Sequence, residues 1–436
     1  MLKLVFNCLF HKRLKNLESD VVFYSGKDDY NDEKISLLQV NKFNKVWKKA
    51  YKNIPFYIEW KAKYALPDLI ENLSELKNFP ILTKKDISDN RNLIAKTPSK
   101  TRETLTGGTS GISTPFPMNN NDANTAWVNT FTGRVMNGIK PRSKLFMIWG
   151  HSHLFQGKKG WVKRIKRIAA DKLNNINRVS AYDLSDKNLK HITKKLVHIK
   201  PDYVIGYGSC LVALANYCTQ NGINIKSAGV KRVINTSETI SIDDAKSVSE
   251  IFNSTVINEY GMAEAGVIGY SISSLYPIKI FYKDFIARAH NQNLIITTIG
   301  QRCFPLINYD TEDLLSKESK GFLFELNNLG GKARDIFNLL DIHGKTNQTS
   351  VIILDHIFKQ IDCLRSLHYK IEKDHNLCIY YSYFNEAPSQ SMLMKTLKNG
   401  LLIEGIEIDP KFIKFSEISV PIKTLAGKRK AFIKDI

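Results

Sequence analysis

Lys144-Leu145-Phe146-Met147-Ile148-Trp149-Gly150 has the length and apolar character of a short buried strand, and it opens the series that decides the fold class. Toward the C terminus, Ser185 to Ile199 reads as an amphipathic helix capped at Ser185, and Asp202-Tyr203-Val204-Ile205-Gly206 as a further strand. Leu211 to Asn221 is then helical, Val230 to Asn235 a strand, Ile242 to Phe252 a helix and Thr255-Val256-Ile257-Asn258 a strand. Strand and helix alternating at this spacing predict an α/β domain with parallel or mixed sheets. From Leu275 to Leu326 strands follow one another with turns, which predicts a small β-rich subdomain. Toward the N terminus, residues 34 to 77 read as helices punctuated at Ile54-Pro55-Phe56-Tyr57, and Asn78 to Ile87 as a loop entering a helix capped at Thr83.

After Gly330-Gly331 the pattern changes. Ile352 to Ile361 and Ser389 to Asn399 read as helices, and Ser366 to Ile371, Leu377 to Tyr383 and Lys411 to Glu417 as strands. The Gly/Lys/Asp run from 330 to 345 is the expected hinge. The predicted fold class is therefore α/β, with a large N-terminal domain over residues 1–335 and a small, mobile C-terminal α+β domain over 336–436.

A chain of 436 residues with 43% hydrophobic and 24% charged residues is globular and large enough for an enzyme. Its six cysteines (Cys8, Cys210, Cys218, Cys303, Cys363, Cys378) are scattered without a C-x-x-C pair. They suit reduced thiols of the cytoplasm better than a disulfide framework or a structural zinc site. The apolar start, Met1 to Phe10, is broken by Lys3 and Asn7, lacks a small-residue cleavage site and is too short to span a bilayer. The formal charge of +21 would attract polyanions or an anionic membrane face. Nucleic acid is disfavoured, because no helix-turn-helix, zinc-finger or RNP-like aromatic pattern accompanies the charge. The one dense cluster, Lys158-Lys159-Gly160-Trp161-Val162-Lys163-Arg164-Ile165-Lys166-Arg167-Ile168, spaces apolar residues as an interfacial amphipathic helix does; a solvated helix is the alternative.

Upstream, Glu103-Thr104-Leu105-Thr106-Gly107-Gly108-Thr109-Ser110-Gly111 packs three glycines and three hydroxyl residues into its last six positions. Such a loop lets backbone amides and hydroxyls approach a polyphosphate closely, and without a following Gly-Lys-Ser/Thr it is not a Walker A loop. Four further signals follow in order: Thr236-Ser237-Glu238, Glu259-Tyr260-Gly261-Met262-Ala263-Glu264, Asn308-Tyr309-Asp310-Thr311-Glu312-Asp313 and Gly427-Lys428. Together the five resemble the adenylate-forming ligases, specifically the branch of phenylacetate–CoA ligase and the CapK-type proteins of capsule biosynthesis. The resemblance runs from about Tyr51, through Pro80 to Lys84 and Pro201 to Tyr207, to the last residues.

The resemblance implies that a carboxylate attacks the α-phosphate of ATP, giving an acyl-adenylate and pyrophosphate, with Mg²⁺ as the metal. It implies that Thr106, Gly107, Gly108, Thr109, Ser110 and Gly111 hold the terminal phosphates, that Ser237, Glu238 and Gly261 belong to the ATP site, and that Glu264 is the magnesium ligand. Tyr260 would pack on adenine, and Asp313 would accept from both ribose hydroxyls; a carboxylate suits a vicinal diol. Asp310 is read as structural. Lys428 would be the adenylation lysine, and Asp335, in Gly331-Lys332-Ala333-Arg334-Asp335, the hinge. Trp149, His151, Tyr207 and Ser209 stand where the family places substrate and adenine contacts.

The chain departs from the family pattern at Asn308, where an arginine is usual, at Glu312, where a glycine is usual, and in a phosphate loop stretched to Gly111-Ile112-Ser113-Thr114-Pro115. The implied partners are a small carboxylic acid and an acidic acceptor, whether CoA, a carrier protein or a lipid-linked glycan. The cysteine pattern places the protein in the cytoplasm, and the basic cluster would allow peripheral contact at the inner membrane face. Rivals are an aryl- or acyl-CoA ligase and a non-catalytic scaffold that keeps the fold.

Overall fold

The computed structural model describes the chain apart from residues 1, 27–31, 98–100, 106–114, 150–159, 182–185, 317, 333–335, 345, 359, 360, 362, 373–375, 384, 385, 404, 405, 423–429 and 434–436. It divides into two compact units, with the boundary after Leu329. The expected split at 335/336 and the hinge residue Asp335 fall beside or within residues outside the description.

The first unit begins with α1 (Leu2–Ser25), α2 (Asp32–Asn53) and α3 (Pro55–Lys63). The apolar N terminus is thus the first part of a long helix. Short helices α4 (Lys84–Asp89) and α5 (Arg91–Ala95) follow; α4 starts at the predicted cap, with Thr83 accepting from the Asp86 amide and Asp86 accepting in return from the Thr83 amide. Strands β1 (Arg102–Leu105) and β2 (Pro115–Met118) pair antiparallel on either side of the phosphate-loop sequence, which lies outside the described residues. Next comes α6 (Asn120–Met136), whose N-terminal amides are capped by Asn119.

The α/β core consists of β3 (Leu145–Trp149), α7 (Gly160–Leu173), β4 (Ile176–Ser180), α8 (Asp186–Ile199), β5 (Tyr203–Gly206), α9 (Gly208–Gln220), β6 (Arg232–Thr236), α10 (Ile242–Phe252) and β7 (Thr255–Met262). Strands β8 (Gly266–Ser271) and β9 (Ile278–Ile280) complete most of an eight-stranded sheet, ordered β14-β9-β8-β7-β6-β5-β3-β4 with β14 at Glu325–Leu326. Strands β4, β3, β5, β6 and β7 are mutually parallel, and β8 and β9 turn antiparallel. Period-2 alternation splits this sheet between two cores. Phe146, Ile148, Val204, Val233 and Val256 pack with the apolar faces of α8, α9 and α10, whereas Leu145, Ile205, Ile234 and Ile257 join the core under α2 and α3.

A second sheet runs β13-β10-β11-β12, formed by β10 (Phe285–His290), β11 (Asn293–Thr298), β12 (Tyr309–Leu315) and β13 (Phe322–Leu323). This is the expected β-rich region. The N-terminal helices close over the segment that flanks it: Gln39 Nε2 donates to the carbonyls of Tyr282 (3.1 Å) and Phe285 (3.0 Å), the Tyr57 hydroxyl to that of Pro305, and Lys283 pairs with Asp20. Trp47, Tyr57 and Phe79, all buried, fill the space between.

The chain passes into the second unit within β15 (Leu329–Lys332), then forms the antiparallel pair β16 (Ile336–Leu340) and β17 (Thr346–Ser350). Strands therefore occupy much of the run read as a hinge. Beyond them lie α11 (Val351–Phe358), β18 (Leu364–Ile371), β19 (Leu377–Tyr383), α12 (Gln390–Ile403), β20 (Ile413–Glu417) and β21 (Phe432–Ile433). The sheet order is β20-β19-β18-β21, and Leu354, Phe358, Leu393, Leu397 and Leu401 of the two helices share its core. This is the predicted α+β unit.

Candidate active site

In a parallel sheet, ligands bind beyond the carboxyl ends of the strands, where successive connections diverge. Here β3 leads to β4 on one side, and the chain then crosses to β5 on the other. Trp149 ends β3 and Tyr207 follows β5, so both stand at that switch point, their rings 4.6 Å apart and inclined at 44°. Tyr207 is fully buried and Trp149 half-buried. The backbone turns into α9 through Gly208, where an added Cβ would lie 3.0 Å from the Asn235 Oδ1.

Asn235, near the end of β6, donates from Nδ2 to the carbonyl of Glu238 (2.9 Å) and to Asn258 Oδ1 (2.8 Å). Its buried Oδ1 has no hydrogen-bond partner. Ser209 and Glu238, predicted separately, are tied to each other, the Ser209 amide donating to Glu238 Oε2 (2.9 Å) at the start of α9. Ser237 takes a left-handed conformation (φ 67°) at the turn after β6.

The end of β7 carries the densest chemistry. The Tyr260 hydroxyl donates to Asp313 Oδ2 at 2.7 Å, so the residues expected at adenine and ribose meet. Burial, then Asp313, raises the Tyr260 phenol well above its ordinary pKa and keeps it a donor. Gly261 answers to strand packing, since a Cβ there would come within 2.5 Å of the Gly266 carbonyl oxygen. Glu264 lies in the β7–β8 turn with its side chain buried, and it accepts from the Tyr309 hydroxyl at 2.8 Å. Arg302 fixes that turn by donating to the carbonyls of Glu264 (3.1 Å) and Ala265. Burial, then Glu264, raises the Tyr309 phenol far above its usual range.

Asp313 is aimed by a bulge. Between the pairs Asn293↔Leu314 and Ile295↔Asp310, residues 311 to 313 of β12 face Leu294 alone. Glu312 sits in the bulge with φ 59°, which gives a conformational reason for a glycine at this place; Lys84 Nζ pairs with its carboxylate at 3.0 Å. Asp310 is structural as expected, accepting from Asn293 Nδ2 (3.0 Å) and the Glu312 amide (2.7 Å). Asn308 is a buried junction: Oδ1 accepts from Arg288 Nε (2.9 Å), and Nδ2 donates to the carbonyls of Phe79 (2.6 Å) and Leu76 (3.1 Å).

The structure thus brings together Tyr260, Asp313, Glu264 and Tyr309, and separately Trp149 with Tyr207 and Ser209 with Glu238. Thr106 to Gly111, His151, Asp335 and Lys428 lie outside the described residues. Sequence reasoning did not single out Tyr309, Arg302, Asn235 or Asn258. One signal was available for Tyr309: it alternates with Thr311 and Asp313 on the buried side of β12.

As to magnesium, no cluster of three carboxylate, histidine or cysteine groups exists among the described residues. Glu264 is nevertheless a fitting donor, because magnesium is commonly held by one or two carboxylates together with substrate phosphates. For a nucleotide base, the unpartnered Asn235 Oδ1 beside the bare backbone of Gly208 is a fitting acceptor in a cradle that a side chain would narrow.

No family model matches the chain. It is similar to CapK of Staphylococcus aureus (25% identity over 292 residues, 65% of this chain and 63% of CapK). It is also similar to phenylacetate-coenzyme A ligase of Escherichia coli strain K12 (21% over 365 residues, 78% of this chain and 79% of the ligase). The match therefore spans less than two thirds of CapK. Among solved structures, 2-hydroxyisobutyryl-CoA ligase in complex with R3-HIB-AMP has a TM-score of 0.66 at 13% identity, over 93% of this chain and 89% of that one. The same ligase with 2-HIB-AMP and CoA gives 0.56 at 14% identity (93% and 90%), and anthranilate CoA ligase with anthranoyl-AMP 0.51 at 10% (82% and 74%). The chain thus has the fold of these acyl-adenylate-binding CoA ligases and is similar in sequence to CapK and phenylacetate-coenzyme A ligase.

Proposed function

We propose that the protein activates a small carboxylic acid with ATP. A carboxylate oxygen attacks the α-phosphorus, the bond to the bridging oxygen of the β-phosphate breaks, and pyrophosphate leaves with that electron pair. The acceptor then attacks the acyl carbon, and AMP departs. The observation that supports this reading is the joined cluster Tyr260–Asp313 and Glu264–Tyr309 beside the carboxyl ends of the parallel strands. Asp313 offers oxygens to a ribose diol, and Tyr260 orients that carboxylate while presenting its ring to a base. Tyr309 and Arg302 hold Glu264 in place. Magnesium at Glu264 would neutralise phosphate charge as pyrophosphate forms. Thr106 to Gly111 would hold the phosphates, and Lys428 would reach the carboxylate and the α-phosphate as a point charge. In this reading Trp149, Tyr207 and Ser209, with His151, would serve the acid side.

The likeness to CapK favours an acceptor in surface polysaccharide formation, a sugar amine or hydroxyl on a lipid carrier, handled in the cytoplasm at the inner face of the membrane. A CoA thioester is the second reading, favoured by the likeness to phenylacetate-coenzyme A ligase. Asn308 and Glu312 lend no support to a non-catalytic scaffold, because each has a local structural reason.

Carboxylate-dependent ATP–pyrophosphate exchange over a panel of acids tests the first half-reaction. Lys428→Ala should lower it on the order of a hundredfold. Absence of exchange with every acid, or near wild-type exchange in the variant, counts against the assignment. Product from CoA alone would decide for the thioester.

A further inference from the structure

We propose that the outer face of α7 is a docking surface for an anionic lipid bilayer, independent of which acid or acceptor the active site takes. The packed side of this helix is ionic: half-buried Arg167 approaches Asp171 (Nε–Oδ1 3.8 Å), and Asp171 receives two bonds from Arg178 (2.9 and 3.1 Å). The solvent side mixes apolar residues with the exposed cations Lys166 and Lys172. Ile165 and Ile168 are 54% and 58% exposed, and Ala169 beside them is exposed too. By helical register Lys166 lies along one edge of this face. This is the reverse of a surface helix of a globular protein, which turns its apolar stripe inward.

Charge selects the occupant. The helix carries Lys163, Arg164, Lys166, Arg167 and Lys172 against Asp171 alone, in a chain of formal charge +21. An apolar stripe edged by cations needs a hydrocarbon seat and anions in one plane. The headgroup boundary of an anionic bilayer supplies both, to a depth of about 5–10 Å. Among the described residues no helix is long and apolar enough to cross a membrane, so contact through α7 would be lateral and reversible.

The full chain would be sedimented with phosphatidylcholine vesicles containing increasing phosphatidylglycerol, at low and high salt. Binding should rise with phosphatidylglycerol and fall at high salt. Replacing Lys163, Arg164 and Lys166 by Gln should weaken it on the order of a hundredfold, since each cation near such a surface contributes about fivefold. Ile165→Ser with Ile168→Ser should weaken it about tenfold at unchanged charge. Circular dichroism checks the fold of each variant, with Ile165→Ser alone as the milder substitute. No binding at low salt overturns the proposal, as does wild-type binding by the glutamine variant. Vesicle binding undiminished by the serine substitutions overturns the seating of Ile165 and Ile168 in the bilayer.

Discussion

Replacing Asn308 by Ala should destabilise the first unit far more than a typical substitution, although the position is one where the chain merely departs from the pattern it otherwise resembles. Asn308 is 0% exposed and holds the ends of three segments together: Arg288 of β10, the Leu76–Phe79 turn and the start of β12. Truncation removes two bonds to buried carbonyls, worth about 1 kcal/mol each, and the acceptor of a guanidinium, worth about 2 kcal/mol. The backbone adds to this, because φ is 55° and alanine tolerates the left-handed region less well than asparagine, by about 1 kcal/mol. The total is about 5 kcal/mol. All five tryptophans precede Leu329, and Trp47 and Trp60 pack against Phe79 with ring centroids at 5.3 and 6.3 Å, so tryptophan emission during urea unfolding reports this unit. Asn308→Gly separates the components: it should recover the backbone share and leave a loss of about 4 kcal/mol. A loss below about 1 kcal/mol for the alanine variant would refute the junction, and equal stability of the alanine and glycine variants would refute the backbone contribution.

Glu264→Gln keeps the shape of the side chain and removes its charge, so the magnesium needed for half-maximal pyrophosphate exchange should rise steeply, and Tyr309→Phe should raise it about tenfold by freeing the carboxylate; unchanged magnesium titrations would remove both residues from the metal site. Gly133→Ala should destabilise the first unit by at least about 1–3 kcal/mol, because its Cβ would lie 1.9 Å from Tyr270 Cδ2, inside the buried group of Arg134, Glu259 and Tyr270; an unaltered urea midpoint would show that α6 can shift away.

The strands and helices of the α/β region were legible because their signals are local. Ile242–Phe252 was read to the residue, since Ser241 caps one end and Asn253, with φ 49°, closes the other. Residues Leu2–Ser25 were not read as a helix, because their apolar positions follow no clean period and gain meaning only against α6. Strand β16 was missed because the Gly, Lys and Asp residues flanking it mark a hinge, although its own Ile336-Phe337-Asn338-Leu339-Leu340 suits a strand. For the site, Tyr260, Glu264 and Asp313 were found through motif order. What their side chains touch was not legible, since Tyr309 reaches Glu264 across 45 residues and Tyr260 reaches Asp313 across 53. The bulge that aims Asp313 depends on the register of β11, which Glu312 alone does not announce.

The N-terminal helices pose a problem of timing during synthesis. Gln39, Tyr57 and Asp20 meet their partners only 243 to 263 residues further along the chain. At about 5–20 residues per second, a ribosome needs about 12–50 s to deliver those partners. For that interval Phe43, Trp47 and Tyr57 have no segment to cover them from the β10–β12 side, so the nascent chain presents an aggregation-prone aromatic surface. Slow codons between Asn53 and Phe281 would lengthen the exposure without altering a single residue of the finished protein.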